Sequence, residues 1–164
     1  MRHKVIIIGH GRNGKDSVAE WLSRRFGYTF ESSSHYCARR FIYDALRVPL
    51  GYSTFEECYA DRRNHRATWA ALIKSYNAKD PARLAREIYA ENDMYVGIRS
   101  NLEFEEARNE GLFQLAIWVD ASERIEPESK DSFDIDISKA DIVINNNGTE
   151  EELYSRLETL FSLS

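Results

Sequence analysis

Short apolar segments alternate with longer amphipathic segments along the chain. Residues 4–8 are mostly β-branched and run into a glycine, which is typical of a buried strand in a parallel sheet. In residues 16–26 the apolar side chains are spaced by three, one and four positions, which predicts a helix with one apolar face. The same criteria predict strands at 28–30, 94–98, 112–119 and 141–144, and helices at 35–47, 61–77, from Asp80-Pro81 onward and at 149–160.

This alternation predicts an α/β fold of three layers, in which a mostly parallel five-stranded sheet is flanked by helices. The chain has 164 residues and 43% hydrophobic content, enough for one core, so we expect a single domain over residues 1–164. Residues 35–90 form a predicted helical insert between the second and third strands. Thr149 and Glu152 have the spacing of a capping box at the start of the last helix.

A glycine-rich loop follows the first predicted strand. Gly9, Gly14 and Lys15 have the spacing of a phosphate loop, in which backbone N–H groups approach phosphates and the lysine reaches the outer ones. The loop precedes a predicted helix N-terminus, whose dipole favours an anion. We therefore expect it to bind ATP; the alternative is a glycine turn with an exposed lysine. The predicted cofactor contacts here are Gly9, Gly11, Arg12, Asn13, Gly14, Lys15, Asp16 and Ser17.

One position of the loop is unusual. Asp16 stands where a hydroxyl residue is expected, and Ser17 comes one place later. A carboxylate beside phosphates repels them unless Mg²⁺ lies between. Asp16 and Ser17 are therefore the predicted metal-side groups, and the alternative for Asp16 is a favourable acid in the first helical turn.

Composition narrows the classes of protein to consider. No run of eighteen apolar residues occurs, so we expect no membrane insertion and a cytoplasmic location. Cys37 and Cys58 are too few for a disulfide framework and lack metal-ligand spacing, which predicts two small core residues. Residues 1–90 carry 16 Lys/Arg against 9 Asp/Glu, and residues 91–164 carry 6 against 18. The basic part favours an anionic substrate, although segregated surface charge explains it equally simply.

Three stretches carry a resemblance to a known family: the loop ending GKDS at 14–17, the segment VGIR at 96–99 followed by Glu103 and Glu106, and residues 140–149. With them the chain resembles small-acceptor P-loop kinases of the adenylate-kinase type, and among these the phage deoxynucleoside monophosphate kinases. The resemblance implies a P-loop NTPase fold, use of ATP and Mg²⁺, and a host-cytoplasmic location if the gene is phage-encoded. It also implies that Asn146 and Gly148 belong to the adenine site.

The chain departs from this family in its third strand. The acidic residue that often precedes the arginine there is replaced by Gly97, so Asp16, Glu31 or Asp120 would have to assist the metal. Arg99 is retained, and its place at the carboxyl end of a central strand predicts a contact with an acceptor phosphate; the alternative is an exposed arginine at a helix cap.

A second departure concerns the lid that follows the fourth strand. Residues 122–138 are acidic and lack a full set of lid arginines, which leaves Arg124 as the candidate for the transferring phosphoryl group. The predicted catalytic residues are Lys15, Asp16, Glu31, Arg99 and Arg124.

The insert combines arginines with aromatic residues. Cations bind phosphate and aromatic faces stack on bases, which suits a nucleotide or a nucleic-acid strand, although aromatics spaced by three and four more often belong to a core. Glu31 could accept the proton of an alcohol acceptor, whereas a phosphate acceptor needs no base. The predicted substrate contacts are Ser33, Arg39, Arg40, Arg66, Trp69 and Arg99.

Together these features predict phosphoryl transfer from MgATP to a nucleotide-type acceptor, with a deoxynucleoside monophosphate as the leading candidate. The alternative acceptor is the hydroxyl of 5-hydroxymethyluracil in phage DNA. A nucleotide-binding regulator or an NTP hydrolase is the alternative from another class. The sequence leaves open whether the protein forms a homodimer.

Overall fold

A computed structural model describes residues 2–162 and confirms an α/β fold built on a five-stranded sheet. Its strand order is β2-β3-β1-β4-β5, and all four pairings are parallel, so the sheet is entirely rather than mostly parallel. Residues 1, 163 and 164 of the predicted domain lie outside the described residues. The strands are β1 (Val5–Ile8), β2 (Phe30–Ser32), β3 (Met94–Val96), β4 (Leu115–Asp120) and β5 (Ile142–Asn145).

Helices connect the strands and cover both faces of the sheet. Their bounds are α1 (Lys15–Phe26), α2 (Ser33–Cys37), α3 (Tyr43–Leu46), α4 (Phe55–Ala60), α5 (Arg66–Tyr76), α6 (Arg83–Glu91), α7 (Asn101–Asn109) and α8 (Glu150–Phe161). A π-helical turn over Ala38–Ile42 joins α2 to α3, and 3₁₀ turns at Asp61–His65 and Ile137–Lys139 precede α5 and β5. Within the described residues no helix has the length and apolar character needed to cross a bilayer.

The central strand explains why the core has two halves. All four residues of β1 are buried, and alternate side chains point to opposite faces. Ile7 packs with Val18 of α1 and Leu153 of α8, whereas Ile6 and Ile8 belong to the other half, which includes α6, α7 and the insert. Cys37 and Cys58 are unpaired and buried among the insert residues of that second half, which confirms their predicted packing role.

The structure corrects two helix predictions in the insert. Helix α4 was not predicted; it begins after Thr54, whose hydroxyl accepts from the backbone N–H of Glu57. The helix predicted to start at Asp80-Pro81 begins instead at Arg83. The side chain of Asp80 accepts a hydrogen bond from the backbone N–H of Ala82, and the backbone carbonyl of Asp80 accepts one from the N–H of Arg83. Asp80 therefore closes a turn that precedes the helix.

The structure also defines the bounds of β2 and the start of α8. Strand β2 covers Phe30–Ser32, which is shifted by two residues from the predicted 28–30. The N–H of Thr29 donates to the side chain of Asp93, and the carbonyl of Thr29 accepts from the N–H of Asp93, so Thr29 precedes the strand. At the start of α8 the Thr149 hydroxyl accepts from Glu152 N–H, which confirms the predicted cap. Because all five strands are parallel, their carboxyl ends share one edge of the sheet, where the glycine-rich loop lies.

Candidate functional site

The glycine-rich loop between β1 and α1 has a backbone that only glycine permits at two positions. A Cβ on Gly9 would lie 2.6 Å from the carbonyl oxygen of Val119, and one on Gly14 would lie 2.3 Å from Nδ2 of Asn146. Gly14 also has a φ of +103°. Side chains at either position would push the loop away from the ends of β4 and β5.

Lys15 folds back over this loop. Its Nζ donates to the carbonyl oxygens of Gly9, at 2.8 Å, and His10, at 3.0 Å, which places the ammonium group at the centre of the loop. The pKa of Lys15 is lowered to about 8, mainly by burial and secondly by the positive charge of Arg99. The negative charges of Asp16 and Glu128 act in the opposite direction. A cation whose charge is disfavoured in this way gains from an incoming anion.

Two buried asparagines fasten the loop to the sheet. Asn13 is 2% exposed, and its Oδ1 accepts from Ala121 N–H at 2.7 Å while its Nδ2 donates to the carbonyl of Gly11 at 3.0 Å. Asn146 is 5% exposed and donates from Nδ2 to the Asn13 carbonyl at 2.9 Å. The amide groups of both residues thus bind the protein and shape the loop, and the cofactor contacts predicted for Asn13 and Asn146 stay predictions.

A cavity of about 380 Å³ lies beside the loop on the β5 side. Arg124 on one wall donates from Nε to the carbonyl oxygen of Asn146 at 2.9 Å. The structure thus brings six predicted residues, from three separate parts of the chain, to one cavity. Its lining is Arg12, Gly14, Ser17, Arg124, Asn146, Gly148, Glu150 and Leu153.

The groups predicted to stand beside a metal lie at the start of α1. Asp16 is exposed in the first turn, and Ser17 is partly exposed next to it. In residues 2–162 no cluster of three acidic, histidine or cysteine side chains could hold a metal unaided. Oxygen ligands of this kind nevertheless suit Mg²⁺, which commonly takes one or two protein ligands and substrate phosphates. Asp120 accepts from Ser122 N–H at 3.0 Å and caps its own turn.

Two residues at the loop were not predicted. Glu128 accepts from Gly11 N–H at 3.0 Å and forms an ion pair with Arg99. His10 accepts at Nδ1 from the backbone N–H of Glu128, at 3.0 Å. Burial lowers the pKa of His10, in keeping with a neutral ring whose Nδ1 carries no proton. A carboxylate thus already lies against a backbone N–H of the phosphate loop, which shows that this cradle fits an anion.

A second group of polar residues lies at the carboxyl end of β2. The Glu31 side chain is 13% exposed and accepts from Arg39, at 2.7 Å, and from its neighbour Ser32 N–H, at 2.9 Å. Nδ1 of His35 lies 3.0 Å from Glu31 Oε1. Ser33 donates to the carbonyl oxygen of Gly97 at 3.2 Å, so this group meets the end of β3.

The predicted substrate residues of the insert divide into two kinds. Arg40 and Arg66 are exposed, and Arg39 is also exposed but pairs with Glu31. Trp69 is 5% exposed, packs in the core with its ring centroid 6.2 Å from that of Tyr59, and presents no open face for a base to stack on. The helical spacing of Trp69 therefore marks the core, which was the alternative interpretation.

Glu103 is a partly buried acid between α7 and the insert. Its Oε1 accepts from Nδ2 of Asn77 at 2.8 Å. Asn77 also accepts, at Oδ1, from the N–H of Leu84 in α6. Burial, with a smaller contribution from Asp134, raises the pKa of Glu103 to about 7 against the Asn77 hydrogen bond. Ionisation of this side chain therefore affects the contact between α7 and the insert.

A further cavity, of about 430 Å³, lies at the opposite edge of the sheet, where the strands begin. Its cations already have acidic partners: Arg2 and Lys4 pair with Asp93, and Arg86 pairs with Asp80 and Glu110. This cavity is therefore separate from the glycine-rich loop and offers no unpaired charge to a ligand.

No protein-family model and no curated protein sequence matches the chain. Solved structures do match its fold over nearly its whole length. A shikimate kinase from Aquifex aeolicus has a TM-score of 0.54 at 16% identity, covering 96% of this chain and 95% of its own. A shikimate kinase from Bacteroides thetaiotaomicron has a TM-score of 0.52 at 12% identity, covering 98% of both chains. A sugar kinase from a Janibacter species has a TM-score of 0.52 at 12% identity, and the match covers 100% of this chain and 96% of the kinase chain.

At these identities the likeness establishes a shared fold. The chain therefore has the P-loop NTPase fold found in shikimate kinases, as the sequence predicts. The resemblance to phage deoxynucleoside monophosphate kinases is not shown and stays a prediction.

Proposed function

We propose that the protein transfers a phosphoryl group from MgATP to a hydroxyl group of a nucleotide-type acceptor. The observation that carries this proposal is the phosphate loop itself, in which the Lys15 ammonium group lies over Gly9 and His10 with no carboxylate bonded to it. The kinase names of the structures that share the fold support phosphoryl transfer as the reaction class.

On the donor side, the triphosphate would lie on the loop N–H groups and Lys15, and the cavity next to it would take the nucleoside. Arg12 and Arg124 line that cavity and offer guanidinium groups, while Gly148 leaves room at its wall. Asp16 and Ser17 would hold Mg²⁺, which neutralises charge on the outer phosphates when bound.

On the acceptor side, the carboxylate of Glu31 is the group that favours an alcohol. It lies at the same sheet edge as the phosphate loop and is held by His35, Arg39 and the backbone N–H of Ser32. A carboxylate fixed in this way would accept the proton of an attacking hydroxyl as general base. An acceptor phosphate would need no such group.

A hydroxymethylated base in DNA would suit both the Glu31 carboxylate and the exposed arginines on this side of the molecule. Its hydroxyl would reach Glu31, and the exposed guanidinium groups of Arg40 and Arg66 would contact backbone phosphates. A deoxynucleoside monophosphate is the second candidate, favoured by Arg99, whose exposed guanidinium group lies at the carboxyl end of β3.

Incubation with ATP labelled in its outer phosphate tests the proposal. Separate reactions would contain hydroxymethyluracil DNA, unmodified DNA of the same sequence, a panel of nucleoside monophosphates, or no acceptor. We expect label in the modified DNA alone. Label in free monophosphates would select the second candidate, and steady ATP loss without transfer to any acceptor would replace the kinase with a hydrolase.

A further inference from the structure

The segment between β4 and the 3₁₀ turn before β5, residues 121–136, lies across the phosphate loop; we call it the clasp segment. Phe133 anchors it, being 3% exposed, with its ring centroid 4.3 Å from that of His10 and its edge against Trp118. Near Phe133, Asp134 accepts from Asn101 N–H at 2.7 Å and donates its own N–H to the carbonyl of Arg99. The clasp segment is thus packed and hydrogen-bonded where it crosses the loop.

Glu128 of the clasp segment makes the contacts expected of a phosphate group. One carboxylate oxygen accepts from Gly11 N–H at 3.0 Å, and the other pairs with the guanidinium group of Arg99. The side chain is 17% exposed, and Lys15 contributes a further favourable charge. Burial disfavours the charged form, yet Arg99 and the Gly11 N–H together hold the pKa of Glu128 below its usual range, so it is ionised at neutral pH.

A carboxylate and a phosphate compete for such a place. Both accept from backbone N–H groups, and both pair with arginine through two oxygens. They carry charge of the same sign, so an outer phosphate of a nucleotide could not bind Gly11 and Arg99 while Glu128 remained there. The backbone of Glu128 is held as well, because it donates its N–H to His10 within the loop.

We propose that Glu128 is an internal competitor of the nucleotide: in the free protein its carboxylate fills the outer-phosphate position, and nucleotide binding displaces it and releases Arg99. This inference rests on the proposed function of the loop. The clasp segment acts as a cover that opens on binding. The apparent affinity for nucleotide is then lower than the intrinsic affinity, because the carboxylate must first leave.

Titration calorimetry on the full chain tests this inference by binding rather than by turnover. Wild type, Glu128→Gln and Glu128→Ala would each be titrated with Mg-ATP and, separately, with inorganic tripolyphosphate. Glu126→Gln is the matched control, because it removes one exposed acid from the same segment. We expect Glu128→Gln to lower the dissociation constants of both ligands about tenfold, Glu128→Ala to lower them at least as far, and the control to leave them unchanged.

The outcomes separate this inference from the proposed function. Unchanged or weaker binding by both Glu128 variants, with ATP still bound by wild type, overturns the competitor role and leaves the kinase proposal standing. Failure of every variant to bind either ligand overturns the donor-site assignment and this inference with it. A second readout is tryptophan emission: displacement of Phe133 from Trp118 should change it on ATP binding, and Trp118→Phe should remove the change.

Discussion

The two sides of the candidate site are built in different ways. The proposed donor side is backbone, shaped by glycines that lie too close to their neighbours to carry a side chain and fastened by Asn13 and Asn146. The proposed acceptor side consists of side chains on β2 and on the insert helices, held by ion pairs such as that of Glu31 with Arg39. A backbone cradle recognises what all triphosphates share, whereas exposed side chains can be exchanged to suit one acceptor.

Lys15→Ala tests the donor side with the largest expected effect. Loss of the ammonium group should reduce phosphoryl transfer by roughly 10³-fold and weaken ATP binding, while the circular dichroism spectrum stays that of wild type. Lys79→Ala removes an exposed lysine of the insert and should leave both quantities unchanged. An active Lys15→Ala enzyme would contradict the assignment of this loop to the donor.

Gly14→Ala asks whether the donor side depends on backbone approach. The new Cβ would displace Nδ2 of Asn146 from the Asn13 carbonyl, so we expect the free energy of unfolding to fall by about 3 kcal/mol in denaturant titration. Gly51→Ala is the matched control: its φ is also positive, +71°, but nothing lies within 4 Å. That variant should lose only about 1 kcal/mol, and equal losses would show that close approach is irrelevant.

Glu31→Gln should separate the two sides kinetically. Loss of the general base should lower the acceptor-dependent rate about 100-fold while the dissociation constant of ATP stays the same. Glu56→Gln, an exposed acid at the start of α4, should change neither. If Glu31→Gln weakened ATP binding as much as it slowed transfer, the two sides would have to be treated as one.

Glu103→Gln probes the contact that joins α7 to the insert. The pKa of Glu103 is about 7 in the folded protein, above its usual value near 4.5, so the folded state binds more protons between these values. Stability should therefore fall as pH rises from 5 to 7 and stay reduced above that. The glutamine variant keeps an acceptor for Asn77 and should be more stable than wild type at pH 8, by about 2 kcal/mol.

The measurement is the free energy of unfolding at several pH values. Wild type should show the slope, and the Glu103→Gln variant should show a flatter one. Glu106→Gln on the same helix serves as the control and should keep the wild-type slope. A slope that persists unchanged in Glu103→Gln would assign the pH dependence to other groups.

The two sides also differ in how much of their structure the sequence could predict. The loop is predictable because Gly9, Gly14 and Lys15 are close in sequence and their requirement is local. Strands β1, β3 and β4 were predictable because their residues are mostly apolar and buried, whereas β2, with the sequence Phe-Glu-Ser, has no apolar run and was placed two residues early. The burial of Trp69 was not predictable, because the same spacing suits a core residue and an exposed stacking platform. Only its exposed fraction of 5% in the structure decides between the two.

Glu128 escaped prediction for a different reason. It lies 117 positions from Gly11, in an acidic stretch where one carboxylate looks like the next. The bond between Asn13 and Asn146 spans 133 positions and likewise leaves no local pattern. Contacts of this kind depend on the order of the strands in the sheet, which places β4 and β5 beside the loop.

The link between Asn13 and Asn146 sets the order in which the site can be completed. The loop is synthesised early, but the amide that holds it follows β5, which comes after the other four strands in the chain. A nascent chain would therefore carry the whole glycine motif without its final shape until β5 had docked. Nucleotide that binds only the finished loop would stabilise the finished fold and not the intermediates that precede it.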